Sequence, residues 1–218
     1  MKTLEELINK EDPFINVMKE WVSEAKNHVE ILSPSENHDQ ILLNVQVTTH
    51  SILGSLIYHT GGVLIDHGWV RILGSGNTDF ARDIHNWNQP IKQGIYLVAD
   101  DAAGGFYAIN GGAFSGDMNS IYYWAPDSFE WEPLDLLFSD FFGWLLSGDL
   151  DNFYEGIRWD SWQSDIKNIT TDQCYTFYPP LWSDQGSSNV SHRGVVPVKE
   201  ALDIKYDLLS QMQIKGSK

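Results

Sequence analysis

Residues 95–124 read IYLVADDAAGGFYAINGGAFSGDMNSIYYW. Three runs within this stretch, 95–98, 106–109 and 121–124, are rich in β-branched and aromatic residues, as β-strands usually are. Two glycine-bearing segments, 100–105 and 110–116, separate them. Short connections of this kind are typical of β-hairpins, so the stretch predicts an antiparallel meander at the centre of the fold.

The flanking sequence predicts helices around this sheet. Apolar residues recur at helical spacing over 13–26, and 136–148 is an almost wholly apolar helix. A strand at 69–73 and a short helix at 78–86 are expected. The segment 40–58 is either a helix or a strand followed by a helix, and Gly54 together with the run 45–49 (VQVTT) favours the second.

Residues 163–197 are rich in proline, glycine and serine and predict an extended, loop-rich segment, and a final amphipathic helix opens at Pro197. The predicted fold class is therefore α+β, with an antiparallel or mixed sheet covered by helices. Residues 1–162 form the core domain. Residues 163–218 form a loop-rich extension and C-terminal helix packed on the core, giving a single domain overall.

Composition excludes several classes of function. Fourteen Lys and Arg stand against 30 Asp and Glu, a net charge of −16 in 218 residues, and phosphates would repel such a chain. Neither a nucleic acid nor a membrane is therefore expected as a partner. The single Cys174 excludes an internal disulfide. Without a visible export signal or a membrane-length apolar run, we expect a cytoplasmic protein.

Templates for catalysis find little support. His50, His59 and His67 are nine and eight residues apart, spacings that do not place them on one helical face as metal ligands. Carboxylate pairs such as Asp100 with Asp101 are expected by chance among thirty acids. We therefore predict no catalytic residue, no metal ligand and no cofactor. A hydrolase that uses carboxylates or the three histidines stays open as an alternative.

The distribution of charge points to binding. Between Lys92 and Lys167 a single arginine, Arg158, stands against thirteen carboxylates, a net charge of −12, and five tryptophans share the segment. Acids attract a basic partner and aromatic side chains anchor it once water is displaced. The candidate partner-binding residues are Asp100, Asp101, Glu130, Trp131, Glu132, Trp159, Asp160 and Trp162.

Several stretches are similar to a bacterial family known as domain of unknown function 2625. They are 4–8 (LEELI), 46–49 (QVTT), 60–69 (TGGVLIDHGW), 71–76 (RILGSG) and 101–112 (DAAGGFYAINGG). The likeness spans most of the chain, and the family name implies no activity.

A looser likeness joins the chain to the SUKH superfamily. In that superfamily a double glycine follows a helix, a Gly-Asp-Gly-Gly-like turn joins two strands, and a Ser-Phe motif opens the closing helix. In this chain the double glycine is Gly61-Gly62, the turn is a longer one at 101–105, and Ser139-Asp140-Phe141 stands in place of the Ser-Phe motif.

Many bacterial SUKH members are immunity proteins that neutralise a toxin. The resemblance therefore implies a non-enzymatic protein-binding module whose partner is another protein, such as a basic toxin domain. A structural homo-oligomer is the remaining alternative.

Overall fold

The structure is a computed structural model that describes residues 1–11, 13–89, 91 and 93–216. Its helices are α1 (Leu4–Leu7), α2 (Pro13–Ser23), α3 (His38–Val45), α4 (Ile52–His59), α5 (Ile84–Asn88), α6 (Phe138–Ser147), α7 (Leu150–Phe153), α8 (Trp162–Asp165) and α9 (Val198–Gly216). Its strands are β1 (Val29–Leu32), β2 (Gly62–Ile65), β3 (Val70–Leu73), β4 (Ile95–Asp101), β5 (Phe106–Asn110), β6 (Ile121–Trp124), β7 (Glu132–Pro133), β8 (Gln173–Tyr178) and β9 (His192–Pro197).

Within the described residues, strands β1 to β7 form one antiparallel sheet in which every strand pairs with its neighbour in sequence. The meander predicted from 95–124 is confirmed as β4, β5 and β6. The α+β class is confirmed as well. Because β7 is the last strand of this sheet, the segment that carries it forms one edge of the fold.

The sheet is covered on both faces, and side chains alternate between them. Tyr107 of β5 belongs to the larger hydrophobic cluster, which also holds the buried residues of α3, α4 and α6. Its neighbours Phe106 and Ala108 belong to a second cluster that Cys174, Val198 and Leu202 complete. The C-terminal extension therefore covers the second face of the sheet, and its residues contribute to both clusters.

Close backbone contacts explain the two glycine motifs that flank β2 and β3. A Cβ atom on Gly61 would lie 2.5 Å from the Ser33 carbonyl oxygen, and one on Gly74 would lie 2.6 Å from that of Thr60. These distances are far below van der Waals contact, so both positions require glycine. The motifs thus pack the N-terminal end of β2 against the end of β3.

Three local predictions need correction. Residues 45–49 do not form a strand, because α3 runs to Val45 and Gln46 closes it in the left-handed conformation (φ 59°). The short helix expected at 78–86 is instead α5, at Ile84–Asn88, capped by the Asp83 side chain. The loop-rich segment 163–197 contains the hairpin β8–β9, whose two strands the intervening proline and glycine residues obscured.

In the part of the chain that the structure describes, no helix combines the length and the apolar character that crossing a bilayer requires.

Candidate docking surface

Asp100 lies at the centre of a buried charge network on the second face of the sheet. Arg71 faces it across the β3–β4 pair, with Nη2 2.6 Å from Asp100 Oδ1, and Arg82 Nη1 lies 2.5 Å from Oδ2. Asp100 Oδ1 accepts no hydrogen bond of good geometry, so this contact is an ion pair, and Arg71 Nη2 donates to the Asp101 carbonyl at 2.7 Å. Burial opposes the charge on Arg82, but Asp100 and Asp172 outweigh it and hold the pKa of Arg82 above its ordinary value. The carboxylate thus neutralises two interior guanidinium groups.

The same arginines attach the extension to the sheet. Arg71 Nη1 donates to the carbonyl of Gln173, and Arg82 donates to the Thr171 carbonyl at 2.6 Å and to Asp172 Oδ1 at 2.9 Å. Carbonyl groups at the start of β8 and just before it therefore accept hydrogen bonds from the two guanidinium groups that Asp100 neutralises.

Asp101 points to the opposite face and closes the turn that follows β4. Its Oδ1 accepts the N–H groups of Ala103 at 2.9 Å and Gly105 at 2.8 Å, and its Oδ2 accepts the Tyr123 hydroxyl at 2.7 Å. Burial raises the pKa of the Asp101 carboxyl, although these three hydrogen bonds favour its charged form. The aspartate shapes the glycine-bearing turn from inside.

The structure corrects three of the predicted partner-binding residues. Asp100 and Asp101 are 0% exposed, and Trp159 is 2% exposed, so none of these side chains reaches the surface. Trp159 instead donates from Nε1 to Asp165 Oδ2 at 2.6 Å and packs on Trp69 and Tyr175. All three residues stabilise the interior, and a partner cannot contact them in this conformation.

Trp131 and Trp162 are half-buried and contribute mainly to packing. The ring of Trp131 lies against Phe114 and Trp124, with centroids 5.4 and 5.2 Å away. Trp162 is covered by the Arg158 guanidinium, whose carbon lies 4.0 Å above the ring. The predicted aromatic anchors therefore face inward.

The remaining predicted acids are exposed. Glu130 and Glu132 lie on the segment that carries β7, together with exposed Asp127 and Asp135. We call these four carboxylates the acidic edge. Asp160 is also exposed, but it lies outside this segment, beside Asn189.

Little positive charge offsets the acidic edge. Residues 93–166, all of which the structure describes, contain a single basic residue, Arg158. Its side chain is 7% exposed and paired with Asp66 at 2.5 Å and Asp151 at 2.7 Å. No exposed basic side chain of residues 93–166 therefore offsets these carboxylates, and Lys205 of α9 interacts with Asp127 alone among the four.

An apolar groove lies beside the acidic edge and was missed by the sequence analysis. It has a volume of about 80 Å³, and its walls include Phe129, Phe177, Leu181, Trp182, Ile204 and Lys205. We call it the extension groove, because most of its walls come from β8, α9 and the loop after β8. Trp182 is 43% exposed and packs on Phe129 with ring centroids 4.9 Å apart. A tryptophan directly after Pro179-Pro180-Leu181 was the signal in the sequence.

The side chain of Lys205 lines the groove, and its ammonium forms a hydrogen bond with the protein backbone. Nζ donates to the Ala125 carbonyl at 2.7 Å and lies 4.9 Å from the centre of the Trp124 ring. Burial lowers the pKa of Lys205 to about 8, and the charges of Asp101 and Asp127 only partly oppose this. At neutral pH the ammonium is still mostly protonated, and it interacts with Asp127 at one end of the acidic edge.

The histidines proposed for a hydrolase are not brought together. His67 stacks on His28, His59 lies edge-on to Tyr58, and His50 contacts the Asn9 amide. Among the described residues, no three His, Cys, Asp or Glu side chains are grouped so as to hold a metal ion.

Comparison with known proteins gives a family and two relatives. The family described as "Protein of unknown function DUF2625" matches residues 4–201. The uncharacterized protein YbfG of Escherichia coli (strain K12) is 39% identical over 212 residues, which cover 95% of this chain and 97% of the relative. An uncharacterized protein of Haemophilus influenzae (strain ATCC 51907 / DSM 11121 / KW20 / Rd) is 36% identical over 193 residues, 85% of each chain.

Proposed function

Because the chain belongs to the DUF2625 family, whose description names no activity, we propose a function from the chain's own surface. The protein is a non-enzymatic, cytoplasmic protein-binding module. It holds a basic partner against the acidic edge and takes an apolar side chain of that partner into the extension groove. The observation that carries this proposal is the exposed Trp182, which packs on Phe129 in a segment that holds four exposed carboxylates and no basic residue.

The groove has the properties of a binding hot spot. Its volume of about 80 Å³ matches a single aliphatic or small aromatic side chain rather than a small-molecule substrate, whose pocket usually exceeds about 300 Å³. Trp182 and Phe129 give it rigid aromatic walls of the kind that dominate binding energy at protein interfaces. A single inserted side chain would therefore be the anchor of the complex.

The acidic edge supplies attraction and selectivity. Carboxylates at the rim of an interface mainly raise the association rate and reject partners of like charge. Asp127 and Glu130 flank Phe129 in sequence, so a basic partner meets negative charge as it approaches the groove. Lys205 offsets part of this charge, because its ammonium donates to the Ala125 carbonyl and interacts with Asp127.

The SUKH resemblance extends this proposal to immunity, with the basic surface of a toxin domain as the partner. The two alternatives keep their own tests. Tightly held metal in the purified protein would favour a hydrolase, and a dimeric solution mass would favour the homo-oligomer.

A peptide selection tests the proposed docking surface. Short random peptides selected on the wild-type protein are expected to carry Lys or Arg together with a large apolar residue. The double variant E130K/E132K should bind the selected peptides about ten-fold more weakly, because it reverses two charges of the acidic edge. Affinities are measured by fluorescence anisotropy at low salt.

The matched control is E20K/E24K, which reverses two exposed acids in α2 and directly after it and changes the net charge equally. It should bind like the wild type. Selected peptides without a basic bias, or equal weakening by both double variants, would overturn the proposal.

A further inference from the structure

A second apolar hollow lies farther along the acidic edge. It has a volume of about 210 Å³ and is lined by Leu134, Leu136, Trp144 and Phe153. We call this site the β7 hollow. Leu137, which follows the lining residue Leu136 in sequence, is 52% exposed. Trp144 and Phe153 pack edge to face at 4.8 Å, so the hollow, like the extension groove, has an aromatic wall.

The chain limits how far apart one wall residue of each apolar site can lie. Phe129 lines the extension groove and Leu134 lines the β7 hollow, five residues later. An extended chain advances about 3.4 Å per residue, so these two residues are at most about 17 Å apart. Glu130 and Glu132 of the acidic edge lie between them, and Asp127 and Asp135 lie just outside.

A partner would contact the acidic edge through side chains and not by adding a strand to β7. The N–H of Leu134 donates to the Ile121 carbonyl of β6 at 2.9 Å. Successive residues of an edge strand direct their backbone groups alternately toward the sheet and away from it, so those of Pro133 face away from the sheet. Proline has no N–H to offer, and an edge strand with an outward proline resists the addition of another strand.

Charge decides between the two candidate occupants of this surface. A second copy of the chain would bring another acidic edge, and each copy carries a net charge of −16. Like charges placed opposite one another are strongly unfavourable. A basic segment instead brings opposite charge to the acidic edge as it crosses from the extension groove, beside α9, to the β7 hollow, beside α6.

We propose that the partner is recognised as one extended basic segment that spans both sites. It places one apolar side chain in the extension groove and a second, four to six residues away, in the β7 hollow. Lys or Arg residues between the two anchors face Glu130 and Glu132. This inference rests on the proposed function and adds the length and sequence pattern of the bound segment.

Synthetic peptides with defined spacing test the inference. Each peptide carries two leucines separated by a variable number of residues, with lysines between them, and a single-leucine peptide is the reference. Affinity for the wild type is expected to peak at a spacing of four to six residues, about ten-fold above the reference. Leu136→Gln should reduce the best two-leucine peptide to the affinity of the single-leucine peptide.

The matched control is Leu137→Gln, which changes an exposed neighbour that does not line the hollow and should leave affinity unchanged. If Leu136→Gln fails to fold, the dependence on spacing in the wild type still decides. If affinity does not depend on spacing but Trp182→Ala weakens binding, the two-site inference is overturned and the proposed function stands. If neither Trp182→Ala nor E130K/E132K changes affinity, the inference and the proposed function are both overturned.

Discussion

Asp100→Asn is expected to lower the free energy of unfolding by about 3–5 kcal/mol, because it removes the charge that two buried guanidinium groups share. The side chains of Arg71 and Arg82 are only 2% and 9% exposed, so water cannot replace the lost carboxylate. Asparagine keeps the shape of the side chain, which separates the effect of charge from that of a cavity. Urea denaturation at neutral pH measures the change.

Asp172→Asn is the matched control. Its carboxylate also pairs with Arg82, at 2.9 Å, but it is 39% exposed and lies at the end of the network. A cost below about 1 kcal/mol is expected there, as for other exposed pairs. Equal losses for the two variants would contradict the central place of Asp100.

Lys205 is expected to give the protein a stability that rises with pH above about 8. Burial lowers its pKa from 10.5 to about 8 in the folded state. Between these values the unfolded chain binds a proton that the folded chain has lost, so raising the pH favours folding. Relative to Lys205→Met, the wild type should gain at most about 3 kcal/mol between pH 8 and about pH 10.

The measurement is the difference between the urea curves of the two proteins across this range. Other groups titrate there as well: burial raises the pKa of Cys174 to about 12, so the folded thiol keeps its proton and stability falls with pH above about 9. Both proteins share that contribution, and the difference cancels it. A difference that stays constant with pH would show that the ammonium of Lys205 is not buried.

The meander was predictable because its information is local. Each of its strands pairs with a neighbour across a short connection, and the β-branched and aromatic pattern of 95–124 is enough to place it. The hairpin β8–β9 was not found, because thirteen residues of proline, glycine and serine character separate its strands. Its strand signal was present in residues 173–178, QCYTFY.

The positions of Asp100 and Asp101 depended on long-range contacts. As neighbours on a strand they point to opposite faces, and their partners Arg71, Arg82 and Tyr123 lie 18 to 29 residues away in sequence. An acid in a turn-flanking position is usually solvated, so composition alone favoured the surface. Arg71, an arginine inside an apolar strand, was the one sign that a buried carboxylate was needed.

The exposed carboxylates were predictable in part. Glu130 and Glu132 lie where a surface acid was expected, but the apolar anchor beside them is Trp182 and not the predicted tryptophans. The groove joins three segments that are distant in sequence, around Phe129, β8 and α9. The groove therefore forms when the C-terminal extension packs on the sheet.

The salt dependence of binding tests the central claim most directly. The highest-affinity peptide selected on the wild type is titrated against the wild type and E130K/E132K at about 50 and about 300 mM NaCl, which shortens the range of surface electrostatics from roughly 14 to 6 Å. The acidic edge predicts that the wild type loses about ten-fold in affinity over this range and that the double variant loses far less. Equal affinity of the wild type at both salt concentrations would contradict a docking surface built on these carboxylates.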